Sequence, residues 1–279
     1  LKKIFKIKFI FDMRGFWADE RVDGNIWKKD SMLFRVTKSL EKKFILSADH
    51  IVSLTQAAVD EIEKFQYTDA KSLDISVIST CVDLEKFTPK SSISTADNFI
   101  LGYLGTVGTW YLFEETARAF SIFLSLKPNT KILIINKGEH EFIHSTLENF
   151  KIPQSAVEII SANHSEVPDL IKKMDATIFF LKPLFSKQAA APTKLGEFLA
   201  SGVPCLTNEG VGDMALIINE GRVGKTVNQF TDAAITKGIL ELIELTQQDT
   251  IISRCNNTAK LHFSLKDGID SYFKIYNSL

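Results

Sequence analysis

From residue 99 onward, short apolar runs alternate with stretches of helical period, and this alternation limits the possible folds more than any other feature of the chain. Strand patterns fall at 99–104, 131–135, 157–160, 176–181 and 203–206, with a weaker one at 223–227. Helical patterns lie near 112–126, 139–149, 166–173, 193–201, 212–219 and 231–246. Strands alternating with helices of this length specify a parallel sheet with helices on both faces. Two further helices, near 249–260 and 264–277, close the chain. No internal repeat or low-complexity tract interrupts the pattern.

The first part of the chain carries a shorter version of the same theme. Phe5 to Phe11 reads as a strand that ends in the polar loop Asp12 to Arg21. Residues 30–47 read as a helix, with Leu33, Val36, Leu40 and Phe44 near one face. A strand over His50 to Leu54, a helix over 55–65 and a strand over Leu73 to Ser79 follow. Lys90 to Asp97 is Ser/Thr-rich and lacks periodicity, as a linker does. The expected organisation is an α/β chain of two domains, 1–92 and 93–279.

Composition narrows the function classes. With 279 residues, 45% of hydrophobic type, the chain can bury one large core or two small ones. A formal net charge of -1 gives no field that would draw it to nucleic acid. Cys81, Cys205 and Cys255 are scattered, without metal-ligand spacing or a disulfide framework, which fits a reducing, cytoplasmic setting. No apolar stretch reaches the ~20 residues that a membrane-spanning helix needs. The basic and apolar start lacks the small-residue cleavage site of a signal peptide. Lys2, Lys3, Lys6 and Lys8 read as a solvated strand face, or as a contact with an anionic membrane surface.

In doubly wound sheets ligands bind beyond the carboxyl ends of the strands. The polar and glycine-rich loops of this chain fall there. They are Gly105-Thr106-Val107-Gly108, Asn136-Lys137-Gly138, Ser161 to His164, Lys182 to Lys194, and Asn208 to Asp213. The most specific run is Ala191-Pro-Thr-Lys-Leu-Gly-Glu-Phe-Leu-Ala-Ser-Gly-Val-Pro204. Pro192 reads as the first residue of a helix and Gly202 as its stop. Lys194 and Glu197, three apart, share a face at the helix start. A helix N-terminus attracts anions, a lysine in its first turn strengthens it, and a glutamate one turn on suits hydroxyls. That arrangement would hold a phosphate beside a polyol.

Several of these stretches together resemble the GT-B glycosyltransferases of the large "group 1" class. The matching pieces are Leu101 to Tyr111, Glu166 to Leu170, Pro192 to Pro204, Gly210 to Asp213, Cys81 to Pro89, and Phe263 to Tyr276. Asp12 to Gly15, with Asp19, Glu20 and Arg21, resembles a loop late in the family's acceptor domain. The resemblance implies a GT-B fold. A Rossmann-like donor domain is joined to an acceptor-side domain, and the last helix packs back toward the latter. It also implies transfer of a sugar from a nucleotide-diphosphate sugar to a glycan or lipid-linked acceptor, with retention, in polysaccharide biosynthesis. No metal or other cofactor is expected.

By the same resemblance, Lys194 contacts the diphosphate and Glu197 the ribose or sugar hydroxyls. Gly105, Thr106 and Gly108 give close backbone approach, and Thr193 and Leu195 belong to the same helix start. Lys137 and Lys187 supply further positive charge, and Asn163 and His164 border the nucleobase. Asp12 and Arg14 lie at the interdomain cleft and complete a catalytic set with Lys194 and Glu197. On structural grounds alone, Lys194 is a solvated lysine paired along the helix with Glu197. Asp12, Arg14, Glu20 and Arg21 form an internal ion network. Asp213 caps a helix, and Trp110 and Tyr111 either pack or stack on a sugar or base.

The sequence departs from the family in three ways. Many members carry an acidic residue where Ala189 stands. Thr106 to Phe113 lacks the usual Arg and Lys. The acceptor domain shows only its last part, which implies about a hundred further residues upstream in the family pattern, or a partner chain that supplies them. A non-catalytic nucleotide-sugar-binding subunit and a nucleotide-sugar epimerase of GT-B architecture are the rival readings.

Overall fold

The computed structural model describes residues 7–68, 73–93 and 99–279. Lys2, Lys3 and Lys6 lie outside the described residues, as does part of the expected linker.

The chain opens with β1 (Ile10–Met13), α1 (Trp17–Asp23), α2 (Met32–Ser47), β2 (His50–Ser53), α3 (Gln56–Glu63) and β3 (Ile75–Val77). The strands form a three-stranded parallel sheet in the order β1-β2-β3, with Ile10 opposite His50 and Ile51 opposite Ile75. Ser31 caps α2 and Thr55 caps α3, each accepting from an N–H three residues on. The expected first strand is shifted toward the C-terminus, so Asp12 and Met13 are extended. The expected polar loop contains α1. Charged residues mask its helical pattern in the sequence, yet Phe16 and Ala18 are fully buried beneath it. The predicted apolar face of α2 is also turned around. Leu33, Val36, Leu40 and Phe44 are exposed, and Glu41 and Ile45 are buried instead.

The second unit runs β4 (Ile100–Leu104), α4 (Phe113–Leu126), β5 (Lys131–Ile135), α5 (His140–Asn149), β6 (Val157–Ile160), α6 (Val167–Lys172), β7 (Ala176–Ile178), α7 (Thr193–Ala200), β8 (Cys205–Asn208), α8 (Met214–Gly221), β9 (Gly224–Val227) and α9 (Asp232–Thr246). Its sheet is parallel throughout, in the order β6-β5-β4-β7-β8-β9. The winding runs outward from β4 to β6, then reverses to start again at β7. The crevice beyond the carboxyl ends of β4 and β7 is therefore the topological switch point, where ligands bind in such sheets. The core is dense in aromatic residues, with Tyr103, Phe120, Phe123, Phe179, Phe180 and Phe198 fully buried.

Three boundaries differ from expectation for local reasons. β7 stops at Ile178 because Leu181 leaves the sheet to pair antiparallel with Tyr111. β8 starts at Cys205 because Val203 still donates to the Phe198 carbonyl and Pro204 has no N–H to give. Pro192 is the cap of α7 and Thr193 its first residue. Gly202 does stop the helix. With φ +79°, it and Val203 donate to the Leu199 and Phe198 carbonyls, a Schellman closure.

The chain ends with α10 (Ile251–Phe263) and α11 (Leu265–Ser278). α10 packs on α7. α11 crosses to the first unit, where Ile275 packs with Val52 and Ile78. At the crossing Val82 bridges Ser264, and the Val82 N–H donates to the Phe263 carbonyl at 2.7 Å. Among the described residues no helix is long and apolar enough to cross a membrane.

Candidate functional site

α7 delivers Lys194 and Glu197 to the switch-point crevice, and both are buried, at 7% and 8% exposure. The Lys194 Nζ is shut off from solvent and has no hydrogen-bond partner. Aromatic rings surround it instead, with Tyr111 centred 3.7 Å away, Tyr103 4.9 Å and Phe179 5.5 Å. The remaining side is Gly105, whose φ of +104° favours glycine and where a Cβ would lie 3.0 Å from Nζ. Burial holds the Lys194 ammonium down to a pKa of about 7, while Glu197 pulls the other way. Burial also raises the Glu197 pKa, opposed by His164 and Lys194. The two groups are thus driven toward their neutral forms by the same lack of water. His164 Nε2 lies 3.7 Å from the Glu197 carboxylate, and the His164 ring meets Phe87 edge-on at 5.9 Å.

The loop after β4 is held by its neighbours. The Tyr103 hydroxyl donates to the Thr106 carbonyl at 2.7 Å. Asn136 Nδ2 donates to the Gly105 carbonyl at 3.0 Å and to Glu139 Oε2 at 2.8 Å. That same carboxylate oxygen accepts from the Val107 N–H at 3.1 Å, and a Cβ on Gly108 would stand 3.4 Å from Oε1. Further on, the Leu112 N–H donates to the Phe180 carbonyl and the Lys182 N–H to that of Trp110, both at 2.9 Å. These bonds fix the backbone of Trp110 and Tyr111 across the crevice.

The other residues singled out in the sequence are spread more widely. Lys137 and Thr193 are exposed. Asn163 is exposed, and its N–H is bonded to Glu166. Leu195 is buried on another side of α7, lining a cavity of about 190 Å³ with Leu54, Ser79 and His262. Lys187 is buried in a tight turn over 185–189. There it pairs with Glu20 at 2.8 Å and lies 3.7 Å from the centre of the Trp110 ring. Asp12 and Arg14 form an exposed pair at 3.9 Å, and Tyr272 of α11 hydrogen-bonds Asp12. Arg21 lies over Trp17. The dense charge cluster seen in the sequence is therefore divided among separate partners. Asp213 stands at the start of α8, as the sequence suggests, but its side chain makes no cap bond to that helix. Its carboxylate accepts from the Gln56 and Ala57 N–H groups of α3, at 2.6 and 2.9 Å, in the other unit.

Sequence reasoning missed the aromatic enclosure of Lys194 and the Asn136–Glu139 clamp. Tyr111 stood out only as a possible stacking surface, since nothing in its spacing ties it to α7. Among the described residues, no three His, Cys, Asp or Glu side chains gather as a metal site would require.

The sequence matches no protein-family model, and it matches no curated protein significantly. The fold is that of the GT-B glycosyltransferases. A sucrose-phosphate synthase from Thermosynechococcus elongatus superposes with a TM-score of 0.73 at 11% identity, over 99% of this chain and 69% of its own. Anabaena HepE, solved with UDP and glucose, gives 0.73 at 16% identity, over 100% of this chain and 73% of its own. A glycosyltransferase from Rickettsia africae gives 0.72 at 16%, over 99% and 72%.

Proposed function

We propose that the chain binds a nucleotide-diphosphate sugar in the switch-point crevice and transfers the sugar, with retention, to a glycan or lipid-linked acceptor. One observation carries this reading: Lys194 Nζ is buried at the carboxyl edge of the larger sheet without any acceptor. A buried cation without a partner is costly, and a departing diphosphate would supply the charge-assisted bonds it lacks. Glu197, one turn along α7, would accept from ribose or sugar hydroxyls, with His164 at the rim. The Gly105 and Thr106 backbone lets the ligand approach, and Lys137 lies on the next loop of the same edge. The protein's contribution to the reaction is electrostatic, stabilising a leaving group and an electron-poor anomeric carbon.

We further propose that residues 1–92 form the acceptor side and 93–279 the donor side, and that the protein works in the cytoplasm, peripheral to a membrane. HepE was solved with UDP and glucose on the same fold, which supports the choice of UDP as the first ligand to try.

Calorimetric titration with UDP, GDP, ADP, TDP and CMP, with and without Mg²⁺, tests the donor site. The expected outcome is selective, metal-independent binding of one diphosphate that is lost in Lys194→Ala. Absence of binding to all of them would overturn the reading. Binding without turnover, on a panel of sugar donors and acceptors, would favour a non-catalytic sugar-nucleotide subunit.

A further inference from the structure

We propose that Tyr111 is a displaceable plug of the Lys194 anion subsite: its ring occupies the position that a phosphate must take, and ligand entry requires it to move. This rests on the donor-site reading above and adds how that site opens. Tyr111 is the nearest ring to Nζ, at 3.7 Å against 4.9 Å for Tyr103 and 5.5 Å for Phe179. Tyr103 and Phe179 are fully buried parts of the sheet core and cannot leave. Tyr111 is only partly buried and belongs to a connecting segment, where the bridge to Leu181, made by the Leu112 and Lys182 N–H groups, and a bond from its own N–H to the Gly108 carbonyl at 3.2 Å hold its backbone and not its ring. Of the enclosing groups it is therefore the one that can yield. The two states have different strengths. An aromatic face satisfies an ammonium through its quadrupole alone, whereas a diphosphate offers charged acceptors at hydrogen-bond distance. The plug thus holds the empty site dry and gives way to the stronger partner. Trp110, the preceding residue, lies against Lys187 and beside Gly24, where a Cβ would stand 2.7 Å from its ring. Displacement of Tyr111 therefore reaches a contact between the two units.

Two measurements test the plug. In the first, the chain without nucleotide is treated with limiting acetic anhydride, and each lysine is read by mass spectrometry. Lys194 should be protected in the wild type and in Tyr111→Phe, and label about tenfold faster in Tyr111→Ala, the order expected for loss of one desolvated cation–aromatic contact. Lys90, nearly buried and bonded to the Met174 carbonyl at 2.9 Å, is the internal reference for an intact fold. Should Lys90 lose protection in Tyr111→Ala, Tyr111→Leu takes its place, keeping an apolar side chain without the aromatic face. Equal Lys194 labelling in wild type and in the folded variant overturns the proposal.

In the second, UDP and inorganic pyrophosphate are titrated into wild type and variant. The plug predicts binding about tenfold tighter in the variant, by the same contact. Weaker binding overturns it and makes Tyr111 a ligand-stacking group. Failure of both proteins to bind, together with unmasked Lys194 in the variant, would sink the donor-site reading and the plug with it, whereas equal labelling with binding retained would sink the plug alone.

Discussion

Lys194 is where the fold gives up stability for a charge. Its ammonium is buried among rings with no acceptor, so an apolar side chain of similar length should fit better. Lys194→Met should raise the urea midpoint, with a gain on the order of 1 kcal/mol or more, while abolishing nucleotide binding. The gain should depend on pH in a definite direction. Lys194 has a pKa of about 7 in the fold, against about 10.4 in an unfolded chain. Between those values the unfolded chain holds the additional proton, so wild-type stability rises with pH through that window. The gap between variant and wild type should therefore narrow from pH 7 to 9, and a gap that widens would contradict the burial. Gly105→Ala tests the other wall. A φ of +104° strains any L side chain, and the new methyl would press on Nζ at 3.0 Å. A loss of about 1–3 kcal/mol and weaker nucleotide binding are expected in urea and calorimetric titrations. The Lys194–Glu197 pair was legible in the sequence because helical spacing alone puts the two on one face. The rings around them were not, because Tyr103, Tyr111 and Phe179 reach Lys194 through sheet topology, which no local pattern records.

At the scale of elements, helix ends do much of the joining. The first amides of α3 have no partners within their own helix, and the Asp213 carboxylate from the other unit takes two of them. Asp213→Ala should cost about 1–2 kcal/mol, the size of a lost N-terminal cap, with Asp213→Asn recovering part of it in the same unfolding titration. The sequence places Asp213 at the start of α8, but the amides its carboxylate takes are those of α3. The same limit explains what was and was not legible in the fold. The alternation of strands and helices from β4 to α9 was readable because strands buried on both faces read as short apolar runs, set apart by stretches of helical length. α1 was hidden because only Phe16 and Ala18 betray it among charged neighbours. On α2 the apolar stripe was seen but not its direction, since periodicity gives a face without saying what it faces. The boundary of β8 depended on Pro204, which accepts from the Thr177 N–H but has none to give, so the strand's first donated bond waits until Cys205.

Across the whole molecule, the segment from Ser186 to Ala191 is fastened to the first unit along its length. Ser186 N–H donates to Asp23, Lys187 pairs with Glu20, Thr55 donates to the Gln188 carbonyl and Thr80 to that of Ala191. Ala189, small and 2% exposed, packs into the core beside Met13 and Phe16. An acidic side chain there would be buried in that core. Trp110 covers Lys187 from the loop after β4, so Trp110→Ala should loosen this fastening. The Ser186 amide should then exchange its hydrogen faster while those of β4 and β5 keep their rates. An unchanged Ser186 amide would mean the segment is held without Trp110. The two crossings of the chain between units meet at the Val82–Ser264 bridge. That bridge presses on α7 at Gly196, where a Cβ would stand 2.7 Å from Val82 and 2.9 Å from Phe263. Gly196 therefore touches both crossings at once, and Lys194 is two residues from it. A side chain added at Gly196 would wedge the chain crossing away from α7, so the burial of Lys194 depends on a glycine that lies outside the crevice.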